Sequence, residues 1–244
     1  MKILRVIFIS LILFSTSFVS LGEDKIVETT LRLGSHDQGL GYEYSKFVNP
    51  VLKLISERKY DEAEVLLNKA IAGFKQTIKN DGKSALYRSF KTKKEFLAYQ
   101  KKVKKEVVWM DESYARAYHL KAYICVNKND LKRAKKLFFL EHDIAPFEAG
   151  VFAELGFIAN HEKNKPDALK YYKKALQLAE QFESQMATKP VALRGLGFVL
   201  IEMGKLDEAE KMYKKALKED PSSKLALSEL RYIDVLRKKA KKNK

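Results

Sequence analysis

The chain has 244 residues, 46% hydrophobic and 11% aromatic, and a formal net charge of +16 from 47 Lys and Arg against 31 Asp and Glu. That length admits one or two compact domains or one elongated array. Cys125 is the only cysteine, which excludes an intramolecular disulfide, so packing must hold the fold together.

Lys2 and Arg5 form a short basic head, and Val6 to Val19 is apolar apart from Ser10, Ser15, Thr16 and Ser17. Ser20, Leu21 and Gly22 then place small residues three and one positions before Glu23. This is the layout of a secretory signal peptide over residues 1–22, cut after Gly22. The apolar run is shorter than the ~20 residues a membrane-crossing helix needs. The mature chain is therefore expected to be exported, periplasmic or secreted, and soluble. No cysteine stands at the cleavage point to carry a lipid.

Residues 23–43 contain Gly34, Gly39 and Gly41 and are expected to form an irregular N-terminal extension. The glycines invite a phosphate-loop reading, but the Lys-Ser/Thr pair that such a loop requires is missing. Over 44–77, Phe47, Val51 and Leu54 precede Ala63, Leu67 and Ala70, with a turn at Arg58-Lys59-Tyr60-Asp61. Pro50 places the start of the first helix near Asn49-Pro50. Residues 78–114 open with a loop at Asn80-Asp81-Gly82. They are expected to continue as one long helix from Thr92 to about Trp109, docked through Phe96, Val103, Val107 and Met110.

From 115 the chain repeats at a spacing of 34 residues. Tyr118, Ala122 and Cys125 precede Ala134, Phe138 and Pro146 over 115–148, with Lys121 and Glu141 departing from apolar and small positions. Phe152, Leu155, Gly156 and Ala159 precede Ala168, Tyr172 and Ala175 over 149–182. This second unit has Glu180 where a closing proline is due, so its last helix is expected to run toward Phe182. After a linker at 183–189, Leu193, Leu196, Gly197 and Leu200 precede Ala209, Tyr213, Ala216 and Pro221 over 190–223.

Each position has a physical role. The leucines form a buried helical stripe, and Gly197 lets a neighbour approach closely. Gly204 suits a helix C-terminus, and Pro221 stops the second helix. Cys125 lies on a buried stripe as a small hydrophobe. Residues 224–244 supply a closing helix, capped by Ser222 and Ser223, with Leu225, Ala226, Leu230, Ile233 and Leu236 facing the stack.

These motifs resemble the tetratricopeptide repeat (TPR) of W-x2-L-G-x2-Y…A-x3-F…P pattern, with apolar substitutes. The resemblance covers three repeats well and a degenerate fourth at 44–77. It implies an all-α fold, a TPR superhelix (α-solenoid) of antiparallel helix pairs with a helical insert and a C-terminal capping helix. It further implies that the first helix of each repeat lines a concave groove that binds a protein or peptide without catalysis. Transferred to this chain, the ligand-facing positions include Arg116, His119, Tyr123, Asn127, Phe157, Asn160, Arg194 and Phe198. Tyr123, Phe157 and Phe198 would form an aromatic ladder flanked by basic and amide groups. The Lys/Asn set by which chaperone-binding members grip a carboxylate is missing, since the matching positions hold His119, Tyr123, Glu154, Val191 and Gly195.

No nucleophile elbow or paired acid/base motif is present. His36, His119, His142 and His161 have no metal-ligand spacing, so no metal or cofactor is expected. Charge gathers in two segments. Residues 78–111 carry ten basic and four acidic side chains, and residues 224–244 carry eight and two. Lys101, Lys102, Lys104, Lys105 and the tail lysines Lys238, Lys239, Lys241 and Lys242 are candidates for an anionic membrane surface. Export argues against nucleic acid.

Overall fold

The computed structural model describes residues 39–242. The signal-peptide segment and most of the N-terminal extension lie outside the described residues. Three helix pairs form the body: α5 (Glu112–Asn127) with α6 (Leu131–Ile144), α7 (Ala149–His161) with α8 (Lys165–Gln181), and α9 (Lys189–Glu202) with α10 (Leu206–Glu219). Ahead of them stand α1 (Ser45–Val48), α2 (Val51–Ser56) and α3 (Tyr60–Asp81), and α11 (Lys224–Lys242) closes the far end. Each helix packs on its neighbours in the chain, giving an all-α array.

The four turns inside the pairs share one geometry. Arg58, Asn129, Lys163 and Gly204 all have φ between 59 and 74°. The following amide of Lys59, Asp130, Asn164 or Lys205 bonds back to the carbonyl of Leu54, Cys125, Ala159 or Leu200 at 2.8 to 2.9 Å. This six-to-one bond satisfies a carbonyl that the helix end leaves open. At Arg58 the same turn joins α2 to α3. The first helix of residues 44–77 starts at Ser45, earlier than expected, and only pauses at Asn49-Pro50 before α2 resumes.

Small residues set the spacing between pairs. A Cβ on Gly156 would lie 2.9 Å from the Tyr172 ring, and one on Gly197 would lie 2.7 Å from the Tyr213 ring. The same Tyr172 ring also fills the space above Gly195 in the next repeat. Around these contacts Leu67, Phe74, Ile124, Phe138, Leu155, Ile158 and Leu178 are fully buried, each contributing roughly 1.5–3 kcal/mol relative to exposure. Cys125 is buried among them, and burial pushes its thiol pKa up. Both departures in the first full repeat are explained. Lys121 reaches across to Asn68 on α3, and Glu141 is held by His119.

The insert corrects the expectation of one long helix. It is a β-α-β unit: β1 (Leu86–Ser89), α4 (Lys93–Gln100) and β2 (Val107–Met110), with β1 and β2 parallel and Leu86 opposite Val107. Thr92 caps α4 by accepting from the Glu95 amide. The helix ends at Gln100 because four lysines crowd the next five residues and β-branched Val107 and Val108 favour a strand. Phe96, Val107 and Met110 are buried as foreseen, but from two different elements. Leu40 continues the pairing beside Met110. The linker at 183–189 is also ordered, as a 3-10 turn over Glu183–Thr188 with Gln185 and Thr188 buried.

Candidate functional site

Arg116, His119 and Tyr123 recur at i, i+3 and i+7 on α5 and so share one face. The insert turns this face into a pocket. Phe90 and Lys91, just past β1, form one wall with Glu95 of α4, and Ala145, Phe147 and Glu148 between α6 and α7 form another. Leu52 and Gln185 complete it, and the space amounts to about 910 Å3 counting its open mouth. Apolar Leu52, Phe90, Leu120 and Phe147 supply contact area, and charged groups of both signs, among them Lys91, Glu112, Arg116, His119 and Glu148, stand around them.

One polar cluster fastens the insert over the groove. The Glu95 carboxylate, only 1% exposed, accepts from Ser184 Oγ at 2.6 Å, Gln185 Nε2 at 2.9 Å and the Lys91 amide at 2.8 Å. Lys91 Nζ reaches Glu148 at 2.8 Å and Gln185 Oε1 at 3.3 Å. Gln185 Oε1 also accepts from the Ala149 amide at the start of α7. Residues from the insert, the 3-10 turn and α7 therefore meet at one buried point. Such a fully satisfied buried network fixes a geometry more firmly than its single bonds suggest.

His119 presents a fixed charge to the pocket. Its Nδ1 lies 3.0 Å from Glu141 Oε2. Burial alone would depress the imidazole pKa, but the Glu141 carboxylate, with Glu154 and Glu148 behind it, lifts it to about 9. With Nδ1–H directed at Glu141, the second ring nitrogen is a donor too. Next to Glu141 on α6, His142 behaves oppositely: burial lowers its pKa and its Nδ1 has no partner among the described residues.

The structure brings Arg116, His119 and Tyr123 together and leaves the other sequence-named residues elsewhere. Asn127 is exposed and turns its amide onto the Tyr123 carbonyl of its own helix. Phe157 is half-buried against the main core, with His161 its ring neighbour at 6.5 Å. Asn160 buries an oxygen that has no partner. Arg194 pairs with Asp220 at 3.5 Å, and burial lowers its pKa against that pairing. Phe198 is exposed. The three aromatics do not contact one another, so the ladder is three separate rings. Sequence reasoning missed Lys91, Glu95, Phe147, Glu148 and Gln185; the one visible signal was Glu141 at a position that holds alanine in the next two repeats.

Of the basic candidates, Lys101, Lys102, Lys104 and Lys105 are exposed in the loop between α4 and β2. The Lys102 ammonium lies 5.2 Å from the centre of the Phe147 ring, beside the pocket. Lys238, Lys239 and Lys241 are exposed on α11, and the Lys242 side chain lies outside the described residues.

With this geometry in hand, the comparisons are concordant. A family model described as tetratricopeptide repeat matches residues 148–218, and a second matches residues 115–138. The fold and these matches define a TPR-like, all-α solenoid protein. Among solved structures, PilF of Pseudomonas aeruginosa is similar at 15% identity and a TM-score of 0.59, over 81% of this chain and 70% of that one. PilW, described as a widely conserved type IV pilus biogenesis factor, is similar at 16% identity and a TM-score of 0.57, over 80% of this chain and 70% of its own. Both are likenesses of fold. Comparison with curated proteins yields no match.

Proposed function

We propose that the chain is a non-catalytic interaction module that receives a peptide or protein segment on the face built by its first helices, anchored in the pocket over α5. The observation that carries this reading is the convergence of Arg116, His119 and Tyr123 with the insert around an open, apolar space. A side chain entering it exchanges water for Phe90, Leu120 and Phe147, while Arg116 and charged His119 orient its polar groups. Phe157 and Phe198 extend the contact along the array, and the half-exposed Phe198 ring is free to pack on a partner. No cofactor or metal enters this reading.

A photo-crosslinking residue in place of Tyr123 should capture the same partner that the purified chain retains from envelope extracts. Arg116→Ala and Tyr123→Ala should each weaken that partner at least tenfold. Unchanged affinity in both would refute the pocket assignment.

We place the chain in the cell envelope on the strength of residues 1–22. An N-terminus at Glu23 on protein recovered outside the cytoplasm is the expected result, and full-length cytoplasmic protein would overturn it. A second reading, contact between the basic insert and an anionic envelope surface, is supported by the four exposed lysines of the loop between α4 and β2.

A further inference from the structure

α11 closes the array through a narrow inner stripe. Ala226 and Ile233 are fully buried and Leu230 is half-buried against Leu200, Ala209 and Tyr213 of the last pair. Arg237, one turn beyond Ile233, folds back to pair with Asp207 and with Glu210 at 2.7 Å. Helical geometry then sends Leu227, Arg231, Tyr232, Val235, Lys238 and Lys239 to the opposite side.

That outer side is not the polar surface expected of a closing helix. Leu227, Tyr232 and Val235 are 44%, 49% and 46% exposed. Arg231, Lys238 and Lys239 lie among them and pair with no carboxylate among the described residues. Asp234 is turned toward Arg237, and Glu229 is half-buried. Across α11, seven basic residues face two acidic ones.

We propose that this outer face of α11 docks on an anionic lipid bilayer, with the helix lying in the plane of the interface. This goes beyond the groove reading and does not depend on it. Apolar side chains in one sector with cations around them are what an interfacial helix needs. Tyr232 suits the headgroup level, and lysine stems cover apolar surface while their ammonium groups reach phosphates. Two of the three free cations on the face are lysines. A fixed carboxylate on a protein is better met by the arginine fork, whereas a mobile field of phosphates asks only for flexible point charges. The three apolar side chains spread along the helix over two turns, which suits a fluid surface.

The test uses the full chain carrying Val235→Cys labelled with an environment-sensitive fluorophore; Cys125 is 1% exposed and stays unlabelled in the folded protein. Vesicles of phosphatidylethanolamine with phosphatidylglycerol should shift the emission to the blue and raise it severalfold, and added salt should reverse the change. Phosphatidylcholine vesicles should leave it unchanged, as should the same label at Lys173→Cys on exposed α8. Each cation near an anionic surface contributes about 1 kcal/mol, so replacing Arg231, Lys238 and Lys239 together by glutamine should weaken binding on the order of a hundredfold. These positions are exposed, so folding is preserved. A label at position 235 that stays water-like at low salt overturns the proposal, even if the chain binds vesicles through another segment. A blue shift that grows with protein concentration without vesicles assigns the face to a second copy and overturns it equally.

Discussion

Replacing Gly195 by alanine sets two effects of opposite sign against each other. Gly195 lies inside α9, where alanine is the better helix former by about 1 kcal/mol. Its new methyl, however, would occupy space filled by the Tyr172 ring. That ring cannot retreat, because its far side rests on Gly156, where an added Cβ would already be 2.9 Å away, and Tyr172 is 8% exposed. Overpacking of a clamped core ring costs about 1–3 kcal/mol, and here the upper end applies. The net expectation is a loss of about 1–2 kcal/mol, or ~3–6 °C in Tm for a domain of this size. Urea and thermal denaturation followed by circular dichroism measure it. In the double variant with Tyr172→Leu, the two losses should sum to less than their separate values by at least ~0.5 kcal/mol. A stabilised Gly195→Ala, or strictly additive losses, would refute the claim that this glycine sets the spacing between repeats.

Three further outcomes follow from the geometry. Lys163 is exposed and has φ 62°, so Lys163→Gly should relieve the left-handed turn and stabilise by ~0.5–1 kcal/mol, read as a raised denaturation midpoint. Glu95→Ala removes the acceptor of three donors at a buried point and should cost about 3 kcal/mol. Hydrogen exchange should then quicken in residues 86–100 and 183–188 while α10 and α11 keep their protection. By nuclear magnetic resonance His119 should titrate near pH 9 and His142 below 6.5, and Glu141→Gln should pull His119 down. Because the folded pKa of His119 lies above its unfolded value near 6.5, its own contribution is complete below pH 6.5, while burial, which raises the Glu141 pKa, works against the pair wherever that carboxylate is charged. The contribution, about 3 kcal/mol at most, disappears as pH rises through 9.

The repeats were legible because one spatial contact recurs at one sequence spacing. Gly156 with Tyr172 and Gly197 with Tyr213 are the same glycine-on-ring contact, so two instances on the line predict two in space. The insert was not legible for the complementary reason. Phe96, Val103, Val107 and Met110 match helical spacing, and a four-residue strand is too short for its alternation to compete. Its pairing partner Leu86–Ser89 lies across α4, and no local pattern announces a parallel contact at that range. The groove was half legible. Arg116, His119 and Tyr123 share a face by periodicity alone, whereas the wall opposite them depends on the docking of the insert. Glu141 stood out as an anomaly, but only the register of α6 on α5 shows that it answers His119.

Arrays of repeats ordinarily unfold like a row of weakly coupled neighbours, since each unit touches only the next. The Glu95 cluster breaks that rule for part of this chain. It ties a segment before the first full repeat to the turn that follows the second, so α5 to α8 cannot open one pair at a time without first breaking the insert's hold. The far end is different: Ala192, Leu196 and Val199 of α9 still belong to the main core, but Leu200, Ala209, Tyr213, Ala226 and Ile233 form a cluster of their own. The chain is thus a cooperative block with a lightly coupled end. Under mild denaturation α10 and α11 should open first, while the pocket-bearing block, with α9 held to it by Tyr172 on Gly195, stays closed as a unit.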